Sequence, residues 1–366
     1  MFAPRLFGIS ALAFLAVGLQ GCGKSAAPTT PDIGPAPRGR LRVSHGKLVD
    51  GDGRPLTLRG LGLGAIHSVK GLGRWNEVYF ANARAWGAEL VRVPVFPFTF
   101  KYDREQTLRD LDDAVAWCER QGLYLIIDYH VMGNASTGQF LYDEFVTWDE
   151  IAEFWAVVSA RYADRPTVAF AEIYNEPASL PPLAGGWEWS DWRQHADALV
   201  AVLRSSASKV IPVVAGMDYA YDFSAGGDKP FSDPDIALSV HPYPGRARAS
   251  RRAAWDANFG YLSDRYPMIL TEIGFDPDGD GGYRDDLSYG RQIVGYAAER
   301  DMSWTAFVFH NEEGWPMPLF SDWDTLAPTL SGQFFKDVLA GQPLESAGST
   351  FVSPAVDAGG SAIDAM

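Results

Sequence analysis

The sequence predicts an α/β protein built as a (β/α)8 TIM barrel, with a short β-hairpin before the first barrel strand. The main observation is that strand-like and helical segments alternate along the chain. Eight apolar, strand-like segments recur, and helical segments lie between most of them. The length of 366 residues is the second, since it suffices for one large barrel or for two smaller domains. We find no internal repeat.

The composition is that of an ordinary globular protein, with 47% hydrophobic and 21% charged residues. The formal net charge of -15 argues against a nucleic-acid partner, because phosphate binding requires concentrated Lys and Arg. We therefore expect no nucleic-acid function.

The N-terminus has the pattern of an export signal. Arg5 supplies a positive charge, and the apolar stretch over 6–17 is shorter than the about 20 residues of a membrane span. Residues 19–22, Leu-Gln-Gly-Cys, resemble the lipobox of bacterial lipoproteins. The resemblance implies that 1–21 is a cleaved signal peptide and that Cys22 carries lipid. The protein would then be exported and membrane-anchored, with the outer membrane or cell surface favoured. An ordinary secretory signal with a coincidental cysteine is the alternative.

Three further segments complete the domain organisation. Residues 22–39 are rich in Pro and Ala, which is typical of an extended tether. Within the folded domain over 40–340, short strand patterns at 41–50 and 56–59 flank an Asp-Gly turn, and this order predicts the hairpin. After 341 the chain turns to Gly, Ser, Ala and Pro, so we expect 341–366 to be a loose tail.

The barrel strands and helices follow from apolar runs and helical periodicity. The predicted strands are 57–64, 89–95, 124–130, 168–174, 210–215, 236–241, 268–273 and 303–309. The predicted helices include 105–121, 148–163, 190–207, 251–263, 287–300 and a closing helix at 331–340. Thr147 and Glu150 form a capping box at the start of the second helix. Cys118 falls on the apolar stripe of the first, which predicts a buried, inert thiol.

Two glutamates stand at the ends of strand-like runs. Glu176 and Glu272 each follow an apolar segment that then breaks, at Pro177 and Gly274 respectively. In a parallel barrel the catalytic face is where strands end and loops begin. Two carboxylates that face each other across one pocket are the catalytic groups used to hydrolyse a glycosidic bond.

Six sequence elements occur in one order along the predicted barrel, each at a strand end. They are Arg59-Gly60, Arg92, His130, Asn175-Glu176-Pro177, His241-Pro242-Tyr243 and Glu272. The ordered set resembles glycoside hydrolase family 5, the cellulase family of clan A, over residues from about 41 to 340. The resemblance implies a retaining endo-β-glycosidase that cuts β-1,4-linked polysaccharide by double displacement, with glucan first and mannan second.

The resemblance also implies residue roles. Glu176 would be the general acid and base, which must hold its proton near neutral pH. Glu272 would be the nucleophile, and Arg92 would orient it and keep it ionised. The remaining assignments are Asn175 to the sugar 2-hydroxyl, His130 and His241 to the same subsite, and Tyr243 to a hydrogen bond with the nucleophile. The alternatives are structural: a barrel ion pair for Arg92, satisfied core histidines, and structural carboxylates. Glu172 and Asp128 are predicted to be ion-pair members inside the barrel.

The sequence departs from the family pattern around the sugar. Gly62 stands where the family often carries Asn, and the Trp that often ends the eighth strand is missing. Trp304 comes early in that strand, Phe307 stands at the aligned position, and Trp315 in the following loop is a further candidate. Tyr219 is a candidate for stacking on a neighbouring sugar, with ordinary loop packing as the alternative. The preferred polysaccharide is therefore left open.

No cofactor or metal is expected, because the sequence has no His-x-His or paired-Cys ligand spacing. Residues 276–281 resemble the start of a calcium loop, but Leu287 replaces the bidentate Glu at the twelfth position. A solvated acidic loop is the alternative. Two competing functions remain beside the glycosidase. One is a non-catalytic carbohydrate-binding surface lipoprotein on a barrel scaffold, and the other is a metal-dependent barrel hydrolase that uses His130, His241 and the acidic groups. We expect a monomer.

Overall fold

The computed structural model describes residues 38–141, 145–178, 187–206, 208–246, 248–279, 282–311 and 316–351. The predicted signal peptide, Cys22 and nearly all of the tether lie outside these ranges, as does the end of the chain after 351. No helix within the described ranges has both the length and the apolar character that a membrane crossing requires.

Eight parallel strands close into a barrel, and their order around it follows the chain. The strands are β1 (Arg42–Ser44), β2 (Lys47–Val49), β3 (Arg59–Leu63), β4 (Leu90–Val95), β5 (Tyr124–Tyr129), β6 (Met132–Asn134), β7 (Gln139–Phe140), β8 (Val168–Glu172), β9 (Glu176–Pro177), β10 (Ile211–Ala215), β11 (Ala237–Ser239), β12 (Met268–Ile273) and β13 (Ser303–Phe309). The barrel consists of β3, β4, β5, β8 and β10 to β13, while β7, β6 and β9 form a small separate sheet. The predicted barrel class is confirmed, and each predicted strand overlaps an observed one.

Helices surround the barrel and cover the outward-facing apolar side chains of its strands. They are α1 (Ile66–Gly71), α2 (Glu77–Ala85), α3 (Pro97–Tyr102), α4 (Arg104–Gln121), α5 (Trp148–Arg161), α6 (Trp189–Ser205), α7 (Met217–Ala220), α8 (Arg251–Asn258), α9 (Leu287–Glu299) and α10 (Leu330–Leu339). The predicted capping box is present at α5, where Thr147 and Glu150 exchange hydrogen bonds. Cys118 is buried in α4, and burial raises the pKa of its thiol well above the usual range, as expected for an inert cysteine.

The N-terminal hairpin is present, but its turn lies earlier than predicted. His45 and Gly46 connect β1 to β2 with φ of 50° and 73°, the left-handed conformation that tight hairpins require. The Asp-Gly segment at 51–55 is a second turn, in which Val49 bridges Pro55 before the chain enters β3. Leu41 and Leu48 pack into the apolar N-terminal end of the barrel. The hairpin therefore plugs the end opposite the strand C-termini.

The C-terminal segment is packed where a loose tail was predicted. Arg291 in α9 donates from Nε to the Leu344 carbonyl at 3.0 Å, and Asp337 accepts from the Gly348 backbone N–H at 2.9 Å. Ala347 is fully buried. The prediction is therefore wrong for 341–351, because these residues pair backbone groups with α9 and α10.

Candidate active site

Arg92 is the centre of a polar cluster in the upper half of the barrel. Its Nε lies 2.5 Å from Glu172 Oε2 and its Nη1 lies 2.7 Å from Glu272 Oε1. Its Nη2 lies 2.9 Å from Asp128 Oδ2 and 2.6 Å from Asn175 Oδ1. Burial opposes the charge on Arg92, but Asp128, Glu172 and Glu272 outweigh burial and raise its pKa. Glu172 and Asp128 are thus ion-pair members, as predicted, and the guanidinium is held in one orientation.

Glu272, near the end of β12, is held ionised. Burial opposes its ionisation, but the positive charge that His241 carries when doubly protonated, together with that of Arg92, lowers the pKa of Glu272 to about 2. The Tyr243 hydroxyl donates a hydrogen bond to Oε2. Burial and the nearby Glu272 raise the pKa of Tyr243 well above its usual value, so it remains a donor. An ionised carboxylate with a fixed orientation is what a nucleophile requires.

Glu176 stands opposite Glu272 in a different environment. It begins β9, where it pairs with Met132 of β6 above the barrel rim. Its Oε1 lies 2.8 Å from His241 Nδ1, and no arginine or lysine contact with its carboxyl group is found in the described part of the chain. One oxygen of Glu176, one of Glu272 and one nitrogen of His241 lie within 4.8 Å of one another. The two carboxyl groups therefore share one small space.

These three side chains are also the group, among the described residues, whose atoms come close enough together to hold a metal ion. Two of the atoms they offer are already joined by the bond from His241 to Glu176 at 2.8 Å, and Glu272 accepts from Arg92 and Tyr243. His241 and Glu272 thus already have partners within the protein, as does Oε1 of Glu176.

The cleft has two lobes that meet at Glu176 and Tyr243. The first lobe encloses about 280 Å³ and is lined by Phe96, His130, Met132, Asn175, Glu176, Tyr243, Glu272, Tyr283, Phe307 and Pro316. His130 Nδ1 is fixed by Asp128 Oδ2 at 2.6 Å. Asn175 is fully buried, and its Nδ2 donor has no acceptor among the described residues. A buried donor without a partner in the protein is available for a ligand hydroxyl.

The second lobe, of about 400 Å³, is lined by Met132, Leu141, Glu176, Tyr219, Tyr243, Gly245, Arg246, Gly282 and Tyr283. Tyr219 reaches it from α7, a turn in which Asp218, Tyr219 and Ala220 have φ of 54°, 61° and 53°. Arg246 holds this turn, since its Nη1 lies 2.5 Å from Asp218 Oδ2 and its Nη2 donates to the Asp218 carbonyl at 2.8 Å. Tyr219 thus lines the second lobe, and its stacking on a neighbouring sugar stays a prediction.

Of the two aromatic residues of the eighth strand that were predicted to bind substrate, only one lines the cleft. Phe307 lines the first lobe, whereas Trp304 is buried with its ring 5.8 Å from Phe335 of α10. The prediction of Trp304 as a substrate residue is therefore wrong, because its ring faces the helices rather than the cleft. Trp315 lies outside the described residues. A Cβ atom at Gly62 would meet Phe307 Cδ2 at 3.1 Å, so the two departures from the family pattern are neighbours in space.

Sequence reasoning missed three polar residues that support the site. Thr271 and Ser239 contact Glu172 beneath His241, and Arg246 anchors the turn that carries Tyr219. Thr271 immediately precedes Glu272, and Ser239 lies two positions before His241. For Thr271 and Ser239 the available signal was their position in or at the end of a barrel strand, whereas Arg246 lies in a loop.

The acidic loop after β12 is only partly described. Asp276 Oδ1 accepts from the Asp278 backbone N–H at 3.0 Å. Asp280 and Gly281 lie outside the described residues, so a calcium site at 276–281 stays a hypothesis.

The family model of cellulase, glycosyl hydrolase family 5, matches residues 49–313. The chain belongs to this family. This membership confirms the predicted family and enzyme class, because the family consists of glycoside hydrolases with a barrel of this kind.

Relatives of this family 5 member include endoglucanase A of Butyrivibrio fibrisolvens, which is 27% identical over 68% of the chain. An endoglucanase of Clostridium saccharobutylicum is 23% identical over 83% of the chain. The chain spans 55% and 65% of the length of these two relatives. The crystal structure of a β-glucanase from Saccharophagus degradans matches with a TM-score of 0.79 and 31% identity, covering 87% of this chain and 98% of that one. That β-glucanase has also been crystallised with cellotetraose.

Proposed function

We propose that this family 5 member is a retaining endo-β-glycosidase that hydrolyses β-1,4-linked glucan first and mannan second. The observation that carries the proposal is the pair Glu176 and Glu272, which have separate electrostatic environments and oxygens within 4.8 Å of each other. Retaining enzymes hold their carboxyl groups about 5–5.5 Å apart, whereas inverting enzymes need about 6.5–9.5 Å to admit a water molecule. The short separation supports retention.

In the first step, Glu272 attacks the anomeric carbon while Glu176 gives its proton to the glycosidic oxygen. The bond between the anomeric carbon and the leaving oxygen breaks, and an ester bond to Glu272 forms. Arg92 and Tyr243 hold the attacking carboxylate in place, since both contact its oxygens. Asn175 Nδ2 donates to a hydroxyl of the sugar, a contact that strengthens as positive charge develops. The lack of an acceptor for this donor among the described residues supports the role.

In the second step, Glu176 takes a proton from water, and the water oxygen bonds to the anomeric carbon. The ester bond breaks, and its electron pair returns to Glu272. Two inversions at one carbon leave the original configuration.

A β-glucan substrate is supported by the relatives and by the shape of the cleft. The relatives are named endoglucanases and a β-glucanase, and the latter binds cellotetraose. The cleft continues on both sides of Glu176, with Phe307 in the first lobe and Tyr219 in the second. Aromatic side chains on both sides of the scissile bond suit sugars bound within a longer chain.

The proposal includes the cellular location of the protein. The lipobox-like residues 19–22 support export and a lipid anchor at Cys22, with a tether that holds the barrel away from the membrane. We propose a monomer at the outer membrane or cell surface.

The function is tested by assaying the purified protein on defined β-glucans and mannans beside Glu272→Ala. We expect the variant to lose essentially all turnover, because the carboxylate that would form the glycosyl ester is removed. Glu105→Ala, at an exposed position at the start of α4, is the matched control and should retain activity.

Full activity in Glu272→Ala would remove the proposed nucleophile. Glycan binding by the wild type without turnover would favour the carbohydrate-binding alternative. Loss of activity in a chelator, with recovery on adding a divalent metal, would favour a metal-dependent hydrolase.

A further inference from the structure

A chain of hydrogen bonds runs behind the proposed acid, on the side away from the substrate. His241 Nδ1 lies 2.8 Å from Glu176 Oε1, and His241 Nε2 lies 2.9 Å from the Thr271 hydroxyl. Thr271 Oγ1 is 2.8 Å from Glu172 Oε1. Ser239 Oγ completes a triangle, at 2.7 Å from the same carboxylate oxygen and 2.5 Å from Thr271 Oγ1. All these groups except Glu176 are buried.

The number of protons available to these groups favours one position for hydrogen on His241. The triangle contains three short oxygen contacts but only two hydroxyl protons, because a carboxylate accepts and does not donate. If Thr271 gave its proton to His241, one proton would remain for three contacts, two of which involve the Glu172 carboxylate. The favourable arrangement keeps both protons among the oxygens. Thr271 is then an acceptor toward His241, and Nε2 is the donor.

We propose that Thr271 is a positioning residue that holds neutral His241 in the Nε2–H tautomer, so that the lone pair of Nδ1 faces Glu176. The proposal rests on the proposed function, because it gives this pair a role in proton transfer. Nothing in the proposed reaction of the two glutamates requires Thr271 itself.

The tautomer decides what Glu176 can do. A bare Nδ1 accepts a hydrogen bond from protonated Glu176 and thus supports the form that gives its proton to the leaving oxygen. Once the proton is gone, the carboxylate faces the Nδ1 lone pair, which favours its taking a proton from the incoming water. The opposite tautomer would present Nδ1–H, which donates to the carboxylate and supports the ionised form instead.

The surroundings of His241 are strongly charged, and they act on its proton content as well. The charged and titratable groups that face it are Arg92, Glu172, Glu176, Tyr243 and Glu272. Burial opposes a second proton on His241, but Glu272 and Glu176 outweigh burial and raise its pKa. In the doubly protonated form the extra proton lies between Nδ1 and Glu176, so Nε2 remains the donor to Thr271.

The test compares Thr271→Val, Thr271→Ser and Ser239→Ala on an oligosaccharide substrate over pH. Valine matches the shape of threonine but cannot accept from Nε2, so His241 is released to the other tautomer. We expect kcat to fall about tenfold or more, with little change in KM, as for partial loss of a general acid. We also expect the alkaline limb of the kcat/KM profile to move to lower pH.

Thr271→Ser keeps the hydroxyl and should restore the wild-type profile. Ser239→Ala removes a buried hydroxyl from the same triangle but leaves Thr271 as the acceptor, so its pH profile should stay in place. Equal displacement of the profile in Thr271→Val and Ser239→Ala, or none in either, would overturn the proposal.

Nitrogen-15 NMR of histidine-labelled protein reads the tautomer without relying on activity. In wild type above the titration of His241 we expect a protonated Nε2 and a bare Nδ1. A protonated Nδ1 would overturn the proposal. If the wild type turned over no glycan but showed the expected tautomer, the proposed function would fail while the assignment of Thr271 would stand.

Discussion

The two glutamates are distinguished by their neighbours more than by burial. The side chains of Glu176 and Glu272 are 13% and 5% exposed, so both are largely removed from water. Glu272 contacts a guanidinium and a phenol, which support its charge. Glu176 contacts one imidazole, whose effect depends on the nitrogen that carries the proton. The separation of roles therefore resides in Arg92, Tyr243 and His241.

The loss of rate caused by removing the proposed acid, Glu176, should depend on how readily the leaving group departs without a proton. For Glu176→Ala we expect kcat on an unactivated oligosaccharide to fall about 10²- to 10⁴-fold, because the leaving oxygen receives no proton. The dinitrophenolate of a dinitrophenyl glycoside is a good leaving group that departs without protonation. The rapid initial release of dinitrophenolate should therefore persist in the variant. Added azide should then accelerate turnover and give a glycosyl azide of retained configuration. Equal losses on both substrates, measured by stopped-flow and steady-state assays, would contradict the assigned role.

Side-chain direction limits what sequence can say about single residues. Trp304 and Phe307 are three positions apart in β13, so they point to opposite faces of the strand. Periodicity did not show which face lines the cleft, and the register of β13 shifts between Ala306 and Phe309. The sequence shows that Gly62 has no side chain. It does not show that Phe307 occupies the adjoining space.

At the scale of elements, the turn α7 is strained beside the cleft. Three consecutive residues other than glycine have left-handed φ, at about 1–2 kcal/mol each. Arg246 binds the first of them twice, and the His241 backbone N–H donates to the Ala220 carbonyl at 2.7 Å. Strain of this kind persists where the surrounding structure imposes it, often at functional sites. Asp, Tyr and Ala carry no sequence signal for such a turn.

Arg246→Ala should release this turn and displace Tyr219 from the second lobe. We expect kcat/KM on a long oligosaccharide to fall about tenfold, mainly through KM, because contacts on one side of the scissile bond are lost. Arg252→Ala is the matched control, since Arg252 forms an exposed ion pair with Glu299 away from the cleft. Unchanged KM in Arg246→Ala would separate Tyr219 from substrate binding.

Other elements were too short to predict. The sheet of β6, β7 and β9 contains strands of only two or three residues, yet it fixes Glu176 at the rim through Met132. By contrast, β12 and β13 have the predicted bounds of 268–273 and 303–309, because long apolar runs bounded by breaks give a strong signal.

At the scale of the whole molecule, the barrel interior divides into an apolar end and a polar end. Leu41 and Leu48 of the hairpin close the apolar end, and Arg92 with its acceptors fills the other. The alternation of strands and helices predicted this architecture, and the order of motifs placed the polar residues at one face. The hairpin turn and the packed segment 341–351 depend on contacts between distant residues, which local patterns do not report.

Acid stability should depend on Glu272. Its pKa is lowered to about 2 in the folded protein, against about 4.3 for an unfolded glutamate. The unfolded state therefore binds the proton first, and the contribution to stability is complete above about pH 4.3 and is lost as pH falls toward 2. We expect the free energy of unfolding in urea to fall more steeply over this window in wild type than in Glu272→Gln.

His130 and His241, whose folded-state pKa values are raised, are protonated in both states over this acid window. They therefore contribute no slope there, and the difference between the two proteins reports the glutamate. Parallel curves for wild type and Glu272→Gln would contradict the lowered pKa of Glu272.

The central claim is double displacement by Glu176 and Glu272, and the anomer released first tests it most directly. Proton NMR of a cello-oligosaccharide digest, recorded within the first minutes, separates the α and β anomers before mutarotation equilibrates them. The account predicts that the β anomer appears first and the α anomer only later, by mutarotation. Initial release of the α anomer would show inversion and contradict the covalent role of Glu272.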